Sequence, residues 1–98
     1  MPTYVLLVNW TDQGVRTARD TVDRYEASRQ NLEQQMGVTI RETYWTIGPY
    51  DIVSIGEAPD DETMTAAALA IAGEGNVRTT TLRAFNPDEA RAIIAKVP

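Results

Sequence analysis

The chain of 98 residues contains no cysteine and no histidine. A disulfide framework, a zinc finger, an imidazole metal site and a catalytic pair of Cys and His are therefore excluded. Basic residues are also scarce, since nine Lys and Arg stand against 14 Asp and Glu and the formal charge is -5 at pH 7. Binding to a phosphate backbone requires a basic patch, so we expect no nucleic-acid partner.

Long hydrophobic runs are missing as well. No apolar segment approaches the roughly 20 residues that cross a bilayer, so we expect no membrane partner. Residues 1–4 (MPTY) hold no basic stretch ahead of a hydrophobic one, which predicts no secretory signal and a cytoplasmic location. The glycines at 48, 73 and 75 lack the strand-to-helix spacing of a phosphate-binding loop. We therefore expect no cofactor and no bound metal.

The remaining sequence predicts one domain over residues 1–98, built from short strands and amphipathic helices. Strands are predicted at 4–8, 38–45, 50–57 and 76–85, and helices at 20–36, 60–72 and 86–97. Thr11 is expected to cap a short helical turn, Gly37 and Gly73 to end the first two long helices, and Asn86 to cap the last.

Each long helix carries an apolar stripe that we expect to face the sheet. The stripes are Val22, Tyr25, Leu32 and Met36 in the first helix, Met64, Ala67, Ala68 and Ile71 in the second, and Ile93, Ile94 and Val97 in the third. Arg29 interrupts the first stripe, with its stem along apolar surface and its head reaching out.

The order of elements predicts the fold. Strand, helix, strand, strand, helix, strand and helix, with right-handed crossovers, indicate an α+β protein: a ferredoxin-like βαββαβ sandwich with an added C-terminal helix. Residues 4–8 and 52–55 are apolar on both alternations, so the sheet face away from the helices is also apolar. We therefore expect two copies to pack these faces together as a dimeric α/β barrel, a homodimer or a higher homo-oligomer.

The barrel interior is the expected ligand pocket. If Val38 and Ile40 face the helices, the open side receives Thr39, Arg41, Thr43, Trp45, Tyr50, Ile52 and Ser54, together with Thr79, Thr81 and Arg83 from the last strand. A slip of one residue reverses this assignment. The candidate ligand-binding residues are Arg41, Thr43, Trp45, Tyr50, Thr79, Thr81 and Arg83, and the expected ligand is a small polar or anionic molecule.

Each candidate also has a structural alternative. The arginines can pair with Glu42, Glu57 or acids of a partner chain, and the aromatic rings can pack in the core or the dimer interface. Tyr50 and Asp51 are the candidate catalytic residues, since a carboxylate beside aromatic rings can act as a base. Asp51 can equally accept backbone N–H groups near the turn. The acidic run at 60–62 favours a helix cap over a cation site.

Three segments resemble a known family: residues 4–13 (YVLLVNWTDQ), 44–60 (YWTIGPYDIVSIGEAPD) and 76–85 (NVRTTTLRAF). They are similar to the GYD domain of small bacterial and archaeal proteins, and the Gly-Tyr-Asp motif occurs here with a proline inserted, over residues 48–51. The resemblance implies a ferredoxin-like fold and a dimeric α/β barrel, and it implies no catalytic residue.

Three functions are consistent with these observations. The first is a homo-oligomeric protein that binds a small molecule between its subunits. The second is a cofactor-independent enzyme of the dimeric-barrel kind, a monooxygenase or an isomerase, with Tyr50 or Asp51 carrying a proton. The third is an interaction module whose role is assembly.

Overall fold

Four strands and four α-helices make up the computed structural model, which describes residues 1–98. They are β1 (Thr3–Trp10), α1 (Asp12–Arg16), α2 (Thr21–Met36), β2 (Thr39–Trp45), β3 (Ile52–Glu57), α3 (Asp61–Gly73), β4 (Val77–Ala84) and α4 (Pro87–Ile94), with a 3₁₀ turn at Ala18–Asp20 before α2. The strands form one antiparallel sheet in the order β2-β3-β1-β4. The ferredoxin-like α+β prediction is confirmed.

Local sequence signals determine where the helices begin and end. Asp60 caps α3 by accepting the backbone N–H of Thr63 at 2.8 Å. At the start of α4, Asn86 and Glu89 each accept the other's backbone N–H, which completes a capping box. Gly37 ends α2 with a φ of 67°, a left-handed conformation that favours glycine. These boundaries agree with the predicted ones.

The core lies between the sheet and the helices α2 and α3. Its buried hydrophobic members are Tyr4, Leu6, Val8, Leu32, Val38, Ile52, Ala58, Met64 and Ala67. The α3 stripe therefore faces the sheet as predicted. In α2, Leu32 is buried, but Val22 is 51% exposed, which contradicts the prediction. Thr21 faces the sheet in its place, because it accepts a hydrogen bond from the Trp45 indole.

The prediction that α4 packs inward is wrong for this single chain. No residue of α4 is buried, and Ile93, Ile94 and Val97 are all exposed. The reason is room. Four strands spaced about 4.8 Å apart span roughly 19 Å, which two helices of about 10 Å diameter already cover. Because α2 and α3 occupy that side of the sheet, a third helix has no place on it.

The dimensions of the chain reflect this uncovered helix and sheet face. The radius of gyration is 14.6 Å, against about 12.6 Å for a compact domain of this length. The principal extents are 50 × 32 × 19 Å, and the shortest matches two layers of secondary structure. None of the helices is long and apolar enough to cross a membrane.

Candidate functional site

A bulge in β2 decides which side chains reach each face of the sheet. The pairing register between β2 and β3 shifts between Ile40 and Glu42, so that Arg41 is an extra residue. Such an insertion reverses the alternation of every residue that follows it in the strand. Beyond the bulge, Thr43 lies opposite Ser54, which is buried on the helix side.

The sequence analysis therefore places most of the candidate ligand-binding residues on the wrong face. The strand pairing puts these residues under the helices instead: Thr43, Trp45, Ile52, Ser54, Thr79, Thr81 and Arg83. The bulge moves the β2 residues. The β3 residues change face because Trp45 of β2 pairs with Ile52 rather than with Tyr50. On β4, Thr79, Thr81 and Arg83 pair with core residues of β1, namely Val8, Leu6 and Tyr4. Thr39 and Arg41, which precede the reversal, stay on the open side.

The centre of the open face of the sheet is apolar. Its centre consists of Val5 and Leu7 of β1 beside Ile55 and Val53 of β3. Tyr44 and Leu82 flank this centre on the outer strands, and they are 60% and 45% exposed. Polar residues surround this centre, among them Thr80 beside Leu7 and Glu42 beside Ile55. An apolar centre with a polar rim is the composition of an interface.

An ion pair stands at one end of the open face. The Arg41 guanidinium donates to both carboxylate oxygens of Glu57, at 2.5 and 3.1 Å. These hydrogen bonds lower the pKa of Glu57 and raise that of Arg41. Of the two roles considered for Arg41, the structure therefore shows the pairing with Glu57.

Arg83 belongs to a cluster that links the sheet to α3 and α4. Its guanidinium carbon lies 5.6 Å from the ring centre of Tyr4 and 4.6 Å from that of Phe85. Asp61 and Glu89 approach it at 3.9 and 4.0 Å. The Tyr4 hydroxyl donates to Asp61 at 2.5 Å, and burial together with this bond raises the pKa of Tyr4 to about 12.

A cleft of about 90 Å³ opens between α2 and α3 above the middle of the sheet. Its apolar lining includes Leu6, Val8, Tyr25, Leu32, Ile52 and Ile71. The hydroxyl groups of Ser28, Ser54 and Thr79 also line it, while Arg24, Arg29 and Glu74 stand among its charged residues. This cleft lies inside one chain and is distinct from the pocket between subunits that the sequence analysis predicts.

One of the predicted ligand-binding residues lines this cleft, and two others contact its lining. Thr79 lines it directly. Thr43 shares a hydrogen bond of 2.8 Å with Ser54 in the floor, and the Trp45 ring packs edge-on against Tyr25 with ring centres 5.6 Å apart. The remaining predicted residues do not line it: Arg41, Tyr50, Thr81 and Arg83.

Tyr50 and Asp51 lie in the loop between β2 and β3, outside the cleft. One carboxylate oxygen of Asp51 accepts the backbone N–H of Trp10 at 2.9 Å. The backbone of Asp51 bonds to Val8 and Thr46, each at 2.9 Å. The carboxylate thus holds the loop against the end of β1, which is the structural alternative considered for it.

Sequence reasoning misses Ser28 as a pocket residue. The available signal is the break in the α2 stripe, where Ser28 and Arg29 stand between Tyr25 and Leu32. A small residue and a long polar one at these positions leave space above the sheet. A helix that simply carries one arginine in its apolar stripe shows the same break, so the break does not by itself predict a cavity.

Comparison with known proteins assigns the chain to a family. The GYD domain family model matches residues 4–94, and the chain belongs to this family. A Thermus thermophilus protein named "Glutamine synthetase and cystathionine beta-lyase binding protein" is 39% identical over 85 residues. The match covers 87% of this chain and 90% of that protein.

Solved structures share the fold. The crystal structure of TTHA0845, also from Thermus thermophilus, superposes with a TM-score of 0.56 at 25% identity, covering 88% of this chain and 95% of that one. MtbAldR (Rv2779c) gives a TM-score of 0.65 at 13% identity over 87% of this chain, which spans about half of that protein (52%). An ACT domain protein from Streptococcus pneumoniae gives 0.50 at 14% identity, covering 100% and 97%.

Proposed function

We propose that this GYD-domain protein is a homodimeric binding protein for a metabolic enzyme. The 39% identical relative carries the proposal, because its name describes the binding of two enzymes and the match covers nearly all of both chains. Two uncovered apolar surfaces give the proposal a structural basis. The open sheet face joins two copies, and the exposed side of α4 contacts the enzyme.

The surface area of the chain supports an interface of ordinary size. A compact monomer of this mass exposes about 5,600 Å². The chain exposes 6494 Å², which is roughly 900 Å² more. A standard protein interface buries about 800 Å² on each partner. The excess is therefore comparable with one interface, and the apolar centre of the open face is the surface best suited to it.

The helix α4 supports a second contact. Ile94 and Val97 are 67% and 68% exposed, and Phe85 just before the helix is also exposed. Glu89 lies near Arg83 at 4.0 Å, so the start of α4 is held to the body while its apolar side stays uncovered. An amphipathic helix laid into a groove of its partner is a common mode of recognition.

Binding of purified glutamine synthetase and cystathionine beta-lyase, from the organism that supplies the chain, tests the proposal by biolayer interferometry. We expect Ile94→Lys to weaken binding of at least one enzyme about tenfold, because a charge replaces an apolar contact. Ala92→Lys, on the opposite side of α4, is the matched control. If neither enzyme binds the unmodified chain, or Ile94→Lys binds as well as the control, the proposal is wrong.

The other two functions have less support. A small polar ligand between subunits would have to meet Thr43, Thr79 and Arg83, but the strand register moves these residues away from the open face. The enzyme hypothesis depends on Asp51 as a base, and its carboxylate accepts a backbone N–H.

A further inference from the structure

The cleft between α2 and α3 is not used by the proposed function. It lies where small and polar side chains interrupt the apolar stripe of α2. On α2, Ser28 and Arg29 stand between Tyr25 and Leu32, and α3 contributes Ile71 to the lining. An interior gap forfeits dispersion contacts, so a cavity retained in such a small core needs a reason.

The lining of the cleft is apolar at the floor and polar at one side. Leu6 and Ile52 of the sheet are buried beneath it. The half-buried hydroxyls of Ser28 and Thr79 line it, whereas the Ser54 hydroxyl is already bonded to Thr43. A few placed polar groups on an apolar lining are typical of sites for small molecules.

The charged residues of the lining favour an anion. The Arg24 guanidinium is occupied by three oxygens of Thr17 and Gly14, at 2.7 to 3.3 Å. Arg29 bonds only through one terminal nitrogen, to Glu26 at 3.1 Å, so its other N–H groups can donate to a ligand. Glu74 is the one carboxylate of the lining, against these two arginines.

We propose that this cleft binds a small monocarboxylate with a short aliphatic body. The hydrocarbon lies over Leu6 and Ile52, and the carboxylate meets Arg29 and the hydroxyl of Ser28. The volume of about 90 Å³ corresponds to roughly three or four carbon-sized groups, since a water-sized group occupies about 30 Å³. Isovalerate, with a four-carbon body, is the probe of matching size.

Titration of the full chain with isovalerate, followed by amide chemical shifts in two-dimensional NMR, tests this site. We expect saturable shifts at residues 28, 54 and 79 with a dissociation constant on the order of 1 mM, and none at Leu82 or Ile94. Isovaleramide, which has the same body without the charge, should bind about tenfold more weakly. Shifts that do not saturate, or equal affinity for the amide, would overturn the proposal.

Two pairs of variants locate the site. Ser28→Leu fills the gap, so it should abolish saturable binding of isovalerate while the thermal midpoint of unfolding is kept or raised. Ala27→Leu, on the exposed side of the same turn, should bind isovalerate as the unmodified chain does. Arg29→Gln should weaken isovalerate about tenfold, and Glu26→Gln should not weaken it. Undiminished binding by Ser28→Leu or Arg29→Gln would contradict the assignment. These readouts involve no enzyme, so they are independent of the proposed function.

Discussion

Gly14 shows at the scale of a single residue how closely two segments can approach. A Cβ atom added at Gly14 would lie 1.9 Å from the carbonyl oxygen of Asn76, which is far inside van der Waals contact. The same Asn76 carbonyl accepts the backbone N–H of Thr11 at 3.1 Å, so it cannot move freely. The lack of a side chain at Gly14 is therefore required for α1 to pack against the loop before β4.

Gly14→Ala should lower the free energy of unfolding by about 3 kcal/mol, because the backbone must shift to relieve the contact. Gly73→Ala is the matched control, since a Cβ there meets nothing within 4 Å and the residue ends a helix. We expect that variant to be unchanged or stabilised by about 0.5 kcal/mol. Urea denaturation measures both, and equal effects of the two substitutions would contradict the explanation.

The Tyr4 hydroxyl gives the fold a dependence on alkaline pH. Burial and the hydrogen bond to Asp61 raise its pKa from 10.0 to about 12, so the folded chain holds this proton more tightly than the unfolded chain does. Its contribution to stability is complete below pH 10 and is lost as the pH rises from 10 to 12.

Denaturation of the unmodified chain and of Tyr4→Phe across this interval tests the linkage. The stability advantage of the tyrosine should shrink between pH 10 and pH 12, because phenylalanine has no proton to lose. Parallel pH profiles for the two proteins would show that another group causes the loss.

At the scale of secondary-structure elements, α4 is formed by its own sequence and not by packing. Its capping box satisfies backbone groups at the start of the helix, while none of its residues is buried. Short helices without tertiary contacts are marginal in water, so a single cap has a large influence on this one.

Asn86→Ala should destabilise α4 by about 1 kcal/mol and accelerate hydrogen exchange throughout that helix. Global unfolding should change little, because the core does not include α4. Arg91→Ala removes an exposed ion pair with Asp88 and serves as the control, since such pairs contribute little. Slower or unchanged exchange in the Asn86 variant would indicate that packing, not capping, holds the helix.

At the scale of the whole molecule, the open sheet face is the surface through which we propose that two copies associate. Val53 lies at the centre of that face opposite Leu7, and a charge there would be buried in the proposed homodimer. Val53→Lys should therefore sediment as a single chain at low micromolar concentration, where we expect the unmodified protein to sediment as a dimer. Leu69→Lys, on the exposed side of α3, should remain dimeric. A stable single chain of the unmodified protein would disprove the dimer.

The register of β2 marks the limit of prediction from sequence for the site. Alternation along residues 38–45 predicts one face for Thr43 and Trp45, and the bulge at Arg41 places them on the other. Nothing in the local pattern indicates the extra residue, because a bulge depends on how two strands fit together. The side chains of Thr43 and Trp45 therefore lie on the helix side of the sheet and not on the open face where the pattern predicts them.

The sequence by itself determined the order of strands and helices, their caps and stops, and the ferredoxin-like topology, because each of these depends on residues a few positions apart or on the handedness of short connections. Only the tertiary structure decided the face of each β2 residue, the exposure of α4 and the position of the cleft. These depend on how two strands pair, on how many helices fit on one side of a four-stranded sheet, and on where the side chains of α2 and α3 leave a gap.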